Sequence, residues 1–139
     1  MDIIQHKLSI RTKGSGDLLD ITPDITQLLH SSGLKDGNMT VFVVGSTAGL
    51  TTFEYEPGLI EDVRSFYQKL IPDNKRYSHD KTWGDANGFS HLRAALTGQS
   101  LTIPFENSKL LLGTWQQVVL AEFDTRPRQR QVVVQMIGR

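Results

Sequence analysis

The sequence predicts an α+β fold, mostly antiparallel sheet in a β-sandwich arrangement with about three helices, as one compact domain over residues 1–139. The first observation behind this is the order of the predicted elements: strands, helix, strands, two helices, strands. Antiparallel neighbours with helices to one side are the economical packing for that order. The second is length, because a chain of 139 residues has the size of one ordinary domain. The third is that no internal repeat, low-complexity tract or linker divides the chain.

The first half of the chain contains four predicted strands and two predicted helices. Alternating polar and apolar residues, or β-branched runs, predict strands at residues 3–13, 17–21, 39–44 and 50–55. The first helix is predicted to begin at Thr22-Pro23 and to end at Gly33. Apolar side chains at helical spacing predict the second helix over residues 59–71, and Pro72 stops it.

The second half opens with a polar segment, residues 73–85, that shows no clear period. Loops of this length are usually functional or disordered. A helix is predicted over residues 87–96, and strands follow at residues 101–104, 110–123 and 131–137. Residues 124–127 are predicted to join the last two strands as a hairpin. Trp115 is expected to pack in the core or at a subunit contact rather than to bind a ligand.

The composition argues against several kinds of site and partner. The chain has no cysteine, which removes disulfides and thiolate sites and fits a reducing, cytoplasmic compartment. Fifteen basic side chains balance fifteen acidic ones, so we expect no nucleic-acid binding through neutralised phosphates. The N-terminus lacks the apolar centre of a signal peptide. No apolar run approaches the roughly 20 residues of a membrane span, so we expect no membrane partner.

The polar segment and the helix after it concentrate the residues best suited to chemistry. His79 and Asp85 lie in the segment, while Asn87 and His91 are four residues apart and share a helical face. Imidazoles and carboxylates suit a divalent ion such as zinc, magnesium, manganese or iron, and they also suit general acid–base catalysis. We therefore predict a catalytic or metal-binding site here.

An ordinary structural explanation of the same residues is also open. A histidine on a helix is more often a polar surface residue or a hydrogen-bonded core residue than a ligand. Asp85 could simply be a helix N-cap. The crowding of Asp, His and Trp within the segment favours the functional interpretation.

The segment Gly45–Gly49 is a candidate anion site between two predicted strands. Ser46, Thr47 and exposed backbone amides in such a turn can hold a phosphate or a carboxylate. Glu54, in the next strand, could face the same region. The segment has no P-loop lysine, and an ordinary tight connection is the alternative.

The arginines Arg126, Arg128 and Arg130 are a further candidate for anion recognition. At a two-residue period they would point to one side of a strand. Paired guanidiniums recognise phosphate through forked donors. The alternative is an edge strand that charge protects from aggregation.

Three segments together resemble the YjbQ family: GSTAGLTTFEYEPGLIEDV, HDKTWGDANGFSHLRAALTGQSLTIPF and KLLLGTWQQVVLAEFDTRPRQRQVVVQ. The resemblance covers essentially the whole chain. It implies a compact α+β fold, a homotrimer, and a pocket of histidine and acidic side chains near a subunit boundary that can hold a metal ion. By position, His79, Asp85 and His91 match the family pattern as catalytic residues and metal ligands. The residues implied to line the pocket with them are Glu54, Asn87 and Arg130.

The resemblance also implies an activity, secondary thiamine-phosphate synthesis. Such an enzyme joins hydroxymethylpyrimidine diphosphate to a thiazole phosphate and releases diphosphate, so the implied ligands are small and phosphorylated. A divalent ion and an arginine such as Arg130 would neutralise the leaving group. The alternative is a protein that binds a small molecule, an anion or a metal without turnover.

Two positions depart from the family pattern. Many relatives have a histidine where this chain has Gly45, and some have one where it has Phe89. Without these histidines, the metal site that the resemblance implies has two histidines and a carboxylate in place of three histidines.

Overall fold

Two antiparallel sheets contain most of the chain, and the computed structural model describes all residues, 1–139. The elements in chain order are β1 (Asp2–Arg11), β2 (Leu18–Asp20), α1 (Thr22–Ser32), β3 (Gly37–Val44), β4 (Ala48–Phe53), α2 (Pro57–Leu70), α3 (Ser78–Trp83), α4 (Gly88–Thr97), β5 (Ser100–Glu106), β6 (Lys109–Leu110), β7 (Gln117–Glu122) and β8 (Gln129–Gly138). The α+β prediction is confirmed, with four helices where about three were expected.

The larger sheet has the strand order β1-β8-β3-β5-β6, and the smaller one has the order β2-β7-β4. Every pairing is antiparallel. In the larger sheet β8 is an internal strand, with Leu8 of β1 opposite Val132 on one side and Val43 of β3 opposite the same residue on the other. In the smaller sheet β7 is central, and every residue after Gln117 is buried.

The main core lies between the facing sides of the two sheets. Alternate residues of β3 and β8 point inward, which is the period-two pattern of a sheet with one buried face. Helix α1 contributes Ile25 and Leu29, both fully buried, to the same core. Burial of each such side chain contributes about 1.5–3 kcal/mol.

A second, smaller core lies on the other face of the small sheet, under α2 and α4. Its buried members are Leu18, Ala94, Val119, Ala121 and Phe123. This layer holds α4 against the sheet, and α4 provides one half of the site described below. None of the four helices combines the length and the apolar composition that a membrane-spanning helix requires.

Most predicted elements are confirmed close to their predicted ends. Helix α1 has its proline in the first turn and ends at Gly33, whose φ of 76° is left-handed. Helix α2 begins earlier than predicted, at Pro57, because the carboxylate of Glu56 accepts hydrogen bonds from the backbone N–H groups of Gly58 and Leu59.

The predicted loop over residues 73–85 is wrong in one part, since α3 occupies its second half. Asp80 caps the start of this helix by accepting a hydrogen bond from the Tyr77 N–H (3.0 Å), and Gly84, with φ 70°, ends it. A helix of six residues is too short for an apolar period to show in the sequence.

The predicted strand over residues 110–123 is interrupted. A turn separates β6 from β7, in which the Gln116 N–H donates to the Gly113 carbonyl at 3.0 Å. Trp115 lies in this turn and is 69% exposed, so the expectation that it packs in the core of its own chain is wrong.

The predicted hairpin through residues 124–127 is also wrong. β7 belongs to the small sheet and β8 to the large one, so the chain crosses between sheets at this point. Alternation within each strand shows which face is buried but not which strand is its neighbour. Each strand takes an internal position in its own sheet, where both of its edges are paired.

Candidate functional site

The corner between α3 and α4 holds the two histidines of the predicted site. Asp80 fixes this corner, because its carboxylate accepts the Tyr77 N–H at the start of α3 and the Gly88 N–H (2.9 Å) at the start of α4. These two backbone hydrogen bonds lower the pKa of Asp80 below its ordinary value. A single carboxylate thus ties the beginnings of two helices together.

Gly88 allows the two helices to approach this closely. A Cβ at residue 88 would lie 2.7 Å from the Cβ of Tyr77 and 2.9 Å from Asp80 Oδ1. The absence of a side chain is therefore a packing requirement at this position, and it places His91 of α4 beside His79 of α3.

The imidazoles of His79 and His91 are in contact and tilted to each other, with ring centroids 4.4 Å apart and an interplanar angle of 51°. His79 Nε2 is 3.6 Å from Asp85 Oδ1. The amide nitrogen of Asn87 faces Asp85, and it donates to Asp85 Oδ1 (3.0 Å), to Asp85 Oδ2 (3.1 Å) and to His79 Nε2 (3.0 Å). The structure therefore brings together four predicted residues, which we call the histidine cluster: His79, Asp85, Asn87 and His91.

The histidine cluster is open to solvent on one side. The side chains of His79 and Asp85 are 30% and 47% exposed, and His91 is half-buried. Two adjacent imidazoles that a small molecule can reach form a site able to donate and accept protons.

The arrangement does not match a preformed metal centre. No group of three or more His, Cys, Asp or Glu side chains is placed to hold a metal ion. His79 Nε2, the ring nitrogen 3.6 Å from Asp85, instead accepts a hydrogen bond from the Asn87 amide. Metal binding by His79, Asp85 and His91 stays a prediction, and no step below depends on it.

A buried polar network lies behind the cluster. Arg130 and Glu122 are 3% and 0% exposed and form an ion pair, with Arg130 Nε donating to Glu122 Oε2 at 2.8 Å. The hydroxyl of Thr12 (2.7 Å) and the backbone N–H of Asp124 (3.0 Å) also donate to Glu122. Arg130 Nη2, which donates to Glu122 Oε1, is the fourth donor that satisfies this carboxylate, as a buried charge requires.

Asp124 connects the buried network to the histidine cluster. Its Oδ2 accepts the Thr47 hydroxyl at 3.1 Å, and Thr47 in turn accepts Arg130 Nη2 at 2.7 Å. Burial alone would raise the pKa of Asp124, but the Thr125 N–H, the Thr47 hydroxyl and the charge of Arg128 outweigh it and lower that pKa. Asp124 therefore remains a carboxylate next to Asn87.

The other predicted site residues fall in different places. Thr47 belongs to the buried network, and its hydroxyl is used within the chain. Ser46 is exposed. Glu54 is exposed and follows the end of β4 that pairs with Gln117, whereas Thr47 precedes the end that pairs with Glu122. The structure thus does not bring Glu54 to the cluster.

The three arginines do not share one face of a strand, which corrects the prediction. Only Arg130 lies within β8, and it points inward to Glu122. Arg128 lies before the strand and pairs with Asp124 at 3.4 Å, while Arg126 is exposed in the crossing segment. The reason is the same crossing between sheets that removes the hairpin.

At both positions that depart from the family pattern, Gly45 and Phe89, the residue present packs against an arginine side chain. A Cβ at residue 45 would lie 2.8 Å from Arg130 Nη1, so Gly45 leaves room for the guanidinium. Phe89 is 5% exposed and packs under the guanidinium of Arg93, 4.9 Å from the ring centroid. Phe89 thus faces away from the histidine cluster.

Sequence reasoning missed the roles of Asp80, Glu122 and Asp124. Asp80 stands next to His79 in the polar segment, but its role needs the Gly88 N–H, eight residues away. Glu122 and Asp124 were assigned to a strand end and a turn. The unusual feature that could have pointed to them is the charged segment EFDTRPRQR, which continues directly from an apolar strand.

Comparison with known proteins gives a consistent result. The family described as UPF0047 protein YjbQ-like matches residues 6–139. A UPF0047 protein of Archaeoglobus fulgidus is 38% identical over 131 residues, which are 94% of this chain and 99% of that protein. A UPF0047 protein of Synechocystis is 40% identical over 136 residues, covering 96% of this chain and 91% of its own length.

Solved structures agree with the fold. A crystal structure of a YbjQ-like protein of unknown function from Sulfolobus solfataricus matches with a TM-score of 0.89 at 29% identity, covering 99% of this chain and all (100%) of that one. A YjbQ/UPF0047 family protein from Clostridium acetobutylicum matches with a TM-score of 0.80 at 33% identity, over 96% of this chain and 99% of that one.

Proposed function

Since this chain belongs to the YjbQ-like UPF0047 family, we propose that it is an enzyme whose histidine cluster handles protons on a small phosphorylated substrate. The observation that carries the proposal is the pair of imidazoles, His79 and His91, with ring centroids 4.4 Å apart at a solvent-open corner. The reaction we assign to it is the one that the family resemblance implies, the joining of hydroxymethylpyrimidine diphosphate to a thiazole phosphate.

In that reaction the thiazole nitrogen forms a bond to the exocyclic methylene carbon of the pyrimidine. The bond between this carbon and a diphosphate oxygen breaks, and its electron pair leaves with diphosphate. The leaving oxygen gains negative charge, which a protonated imidazole next to it stabilises by donating a hydrogen bond or its proton. The second imidazole places another donor within reach of the same group.

Asn87 and Asp85 hold the pair in position. Asn87 donates to His79 Nε2, which leaves the proton of the neutral ring on Nδ1. Asp85 lies 3.6 Å from the same Nε2 and accepts the Asn87 amide, which fixes the orientation of that amide. Behind them Asp124 stays ionised through its hydrogen bonds and gives Asn87 a fixed neighbour.

The test is a coupling assay with purified wild type, His79→Ala and His91→Ala. General acid–base groups contribute roughly 10²–10⁴-fold to a rate, so each variant is expected to lose at least about 100-fold in kcat. His30→Ala is the matched control, because His30 is exposed on α1, outside the cluster. Wild-type rates in both cluster variants, or equal losses in the control, would overturn the proposal.

A second candidate is a protein that binds a small anion or a metal ion without turnover. The surroundings of Arg130 favour this candidate. Its guanidinium was expected to stabilise a leaving diphosphate, but Glu122 already neutralises its charge. Metal analysis of the same purified variants, together with the coupling assay, separates the two functions. Metal retained by wild type and His30→Ala but lost from both cluster variants, with no product formed by any, would favour binding.

A further inference from the structure

A second pocket lies on the side of α4 away from the histidine cluster. It has a volume of about 170 Å³, and its wall includes two guanidinium groups, Arg64 from α2 and Arg93 from α4. His91 and Arg93 are two residues apart on α4, so they project about 200° apart around the helix axis. Nothing in the proposed function uses this pocket.

Arg93 is fixed in the pocket wall with its charge unpaired. The residue is 5% exposed, and its Nε (3.0 Å) and Nη2 (2.8 Å) both donate to the Ile71 carbonyl that follows α2. Nη2 also donates to Gln68 Oε1 at 2.9 Å. Nη1 donates to no group of the chain, and no carboxylate forms an ion pair with Arg93. Burial lowers the pKa of Arg93, although the charge of Asp73 opposes this.

Arg64 is oriented toward the same pocket by its backbone contact. Its Nε donates to the Gly16 carbonyl at 2.7 Å, which leaves both terminal amino groups without a partner in the chain. Two carboxylates also line these cavities, Asp73 in the first pocket and Asp17 in the hollow next to it, but neither forms an ion pair with Arg64 or Arg93. Asp73 accepts the Gln68 amide at 2.9 Å, and Asp17 accepts the Lys13 N–H at 2.8 Å.

A neighbouring hollow extends the pocket. It has a volume of about 330 Å³, shares Ser15, Gly16 and Arg64 with the first, and adds Lys13. We name the two together the arginine pocket. The first part is smaller than the roughly 300 Å³ at which ligand sites begin, so it has room for one compact anionic group.

We propose that the arginine pocket binds the phosphate group of a small phosphorylated ligand. Free donors reach the pocket from two helices, Nη1 of Arg93 and both terminal nitrogens of Arg64, and donors from two directions suit a tetrahedral group with several oxygens better than a planar carboxylate that one fork can satisfy. The organic part of the ligand would lie in the hollow beside Lys13. The proposal does not depend on the histidine cluster being catalytic.

The test is a titration of the ¹⁵N-labelled protein with inorganic phosphate at constant ionic strength, followed by NMR on the arginine Nε–Hε signals. The signals of Arg64 and Arg93 are expected to shift together and to saturate. In Arg64→Gln the apparent Kd is expected to rise roughly tenfold, since one charge-assisted contact is lost. Arg64 is exposed, so this variant is expected to fold.

Two controls make the result specific. Lys69→Gln removes one positive charge from an exposed residue of the same helix that does not line the pocket, and it should leave the Kd unchanged. His79→Ala should leave it unchanged as well, because that side chain lies on the other side of α4. Arginine shifts that do not saturate, or an equal effect of Lys69→Gln or of His79→Ala on the Kd, would each overturn the proposal.

Discussion

At the scale of single residues, Asn87 has the most connected position in the site. Its amide lies between His79 and Asp85 and borders Asp124, so it joins the exposed imidazole pair to the buried network. Sequence spacing placed Asn87 on one helical face with His91, but its contacts are to His79 and Asp85. Helical spacing therefore identified Asn87 as a site residue, but it did not predict which residues Asn87 contacts.

Replacing Asn87 by alanine is expected to change the tautomer of His79. In wild type Nε2 accepts a hydrogen bond, so the neutral ring carries its proton on Nδ1. In Asn87→Ala that donor is gone and the proton is expected to move to Nε2. The ¹⁵N chemical shifts of the imidazole report this directly. Asn38→Ala, on an exposed strand position, is the control, and a wild-type ring already protonated on Nε2 at high pH would contradict the expectation.

Asp80 makes a pH-dependent contribution to stability. Its folded-state pKa lies below the value of about 3.9 for an unperturbed aspartate, so its stabilising effect is present above that value and is lost as the pH falls through the lower folded-state pKa. Asp80→Asn is therefore expected to lower the melting temperature at pH 7, and its difference from wild type is expected to shrink as the pH falls below the value of an unperturbed aspartate. Thermal unfolding of both proteins across this range checks the sign. A difference that grows on acidification would refute it.

At the scale of elements, the approach of α3 to α4 decides whether the histidines meet. The Gly88 N–H reaches Asp80, and the missing side chain at residue 88 lets Tyr77 pack against the helix start. The sequence predicted α4 but indicated a loop where α3 lies. The contact between these two short helices could therefore not be predicted from the sequence.

Gly88→Ala is expected to separate the two helices. The added methyl group would lie 2.7 Å from the Cβ of Tyr77, a contact that only backbone movement can relieve. Overpacking of this kind costs about 1–3 kcal/mol of the free energy of unfolding, which urea denaturation measures. Gly113→Ala is the matched control, because its added Cβ would come no closer than 3.6 Å to a neighbouring atom. Equal free energies of unfolding for the two variants would show that α3 and α4 accommodate the added methyl group without loss of stability.

At the scale of the whole molecule, one buried ion pair joins the two sheets. Arg130 belongs to the large sheet and Glu122 to the small one, and Thr12, just after β1, donates to the same carboxylate. The crossing segment between β7 and β8 brings these groups together at the end of the sandwich nearest the histidine cluster.

Glu122→Gln is expected to destabilise the protein by about 3–5 kcal/mol, because it leaves the Arg130 charge buried without its partner. The double variant Glu122→Gln/Arg130→Met removes both charges and is expected to recover part of that loss. A double-mutant cycle in urea gives the coupling energy between the two positions. Additive effects of the two single changes would mean that the pair does not couple the sheets.

The sequence by itself determined the fold class, most helix and strand positions, and the segment that contains the histidines, because periodicity and helix-end residues are local properties. Only the tertiary structure decided which strands are neighbours, that β7 and β8 lie in different sheets, and that Arg130 is neutralised by Glu122. Those features depend on contacts between residues distant along the chain. A local pattern shows which face of a strand is buried, but not which part of the chain covers it.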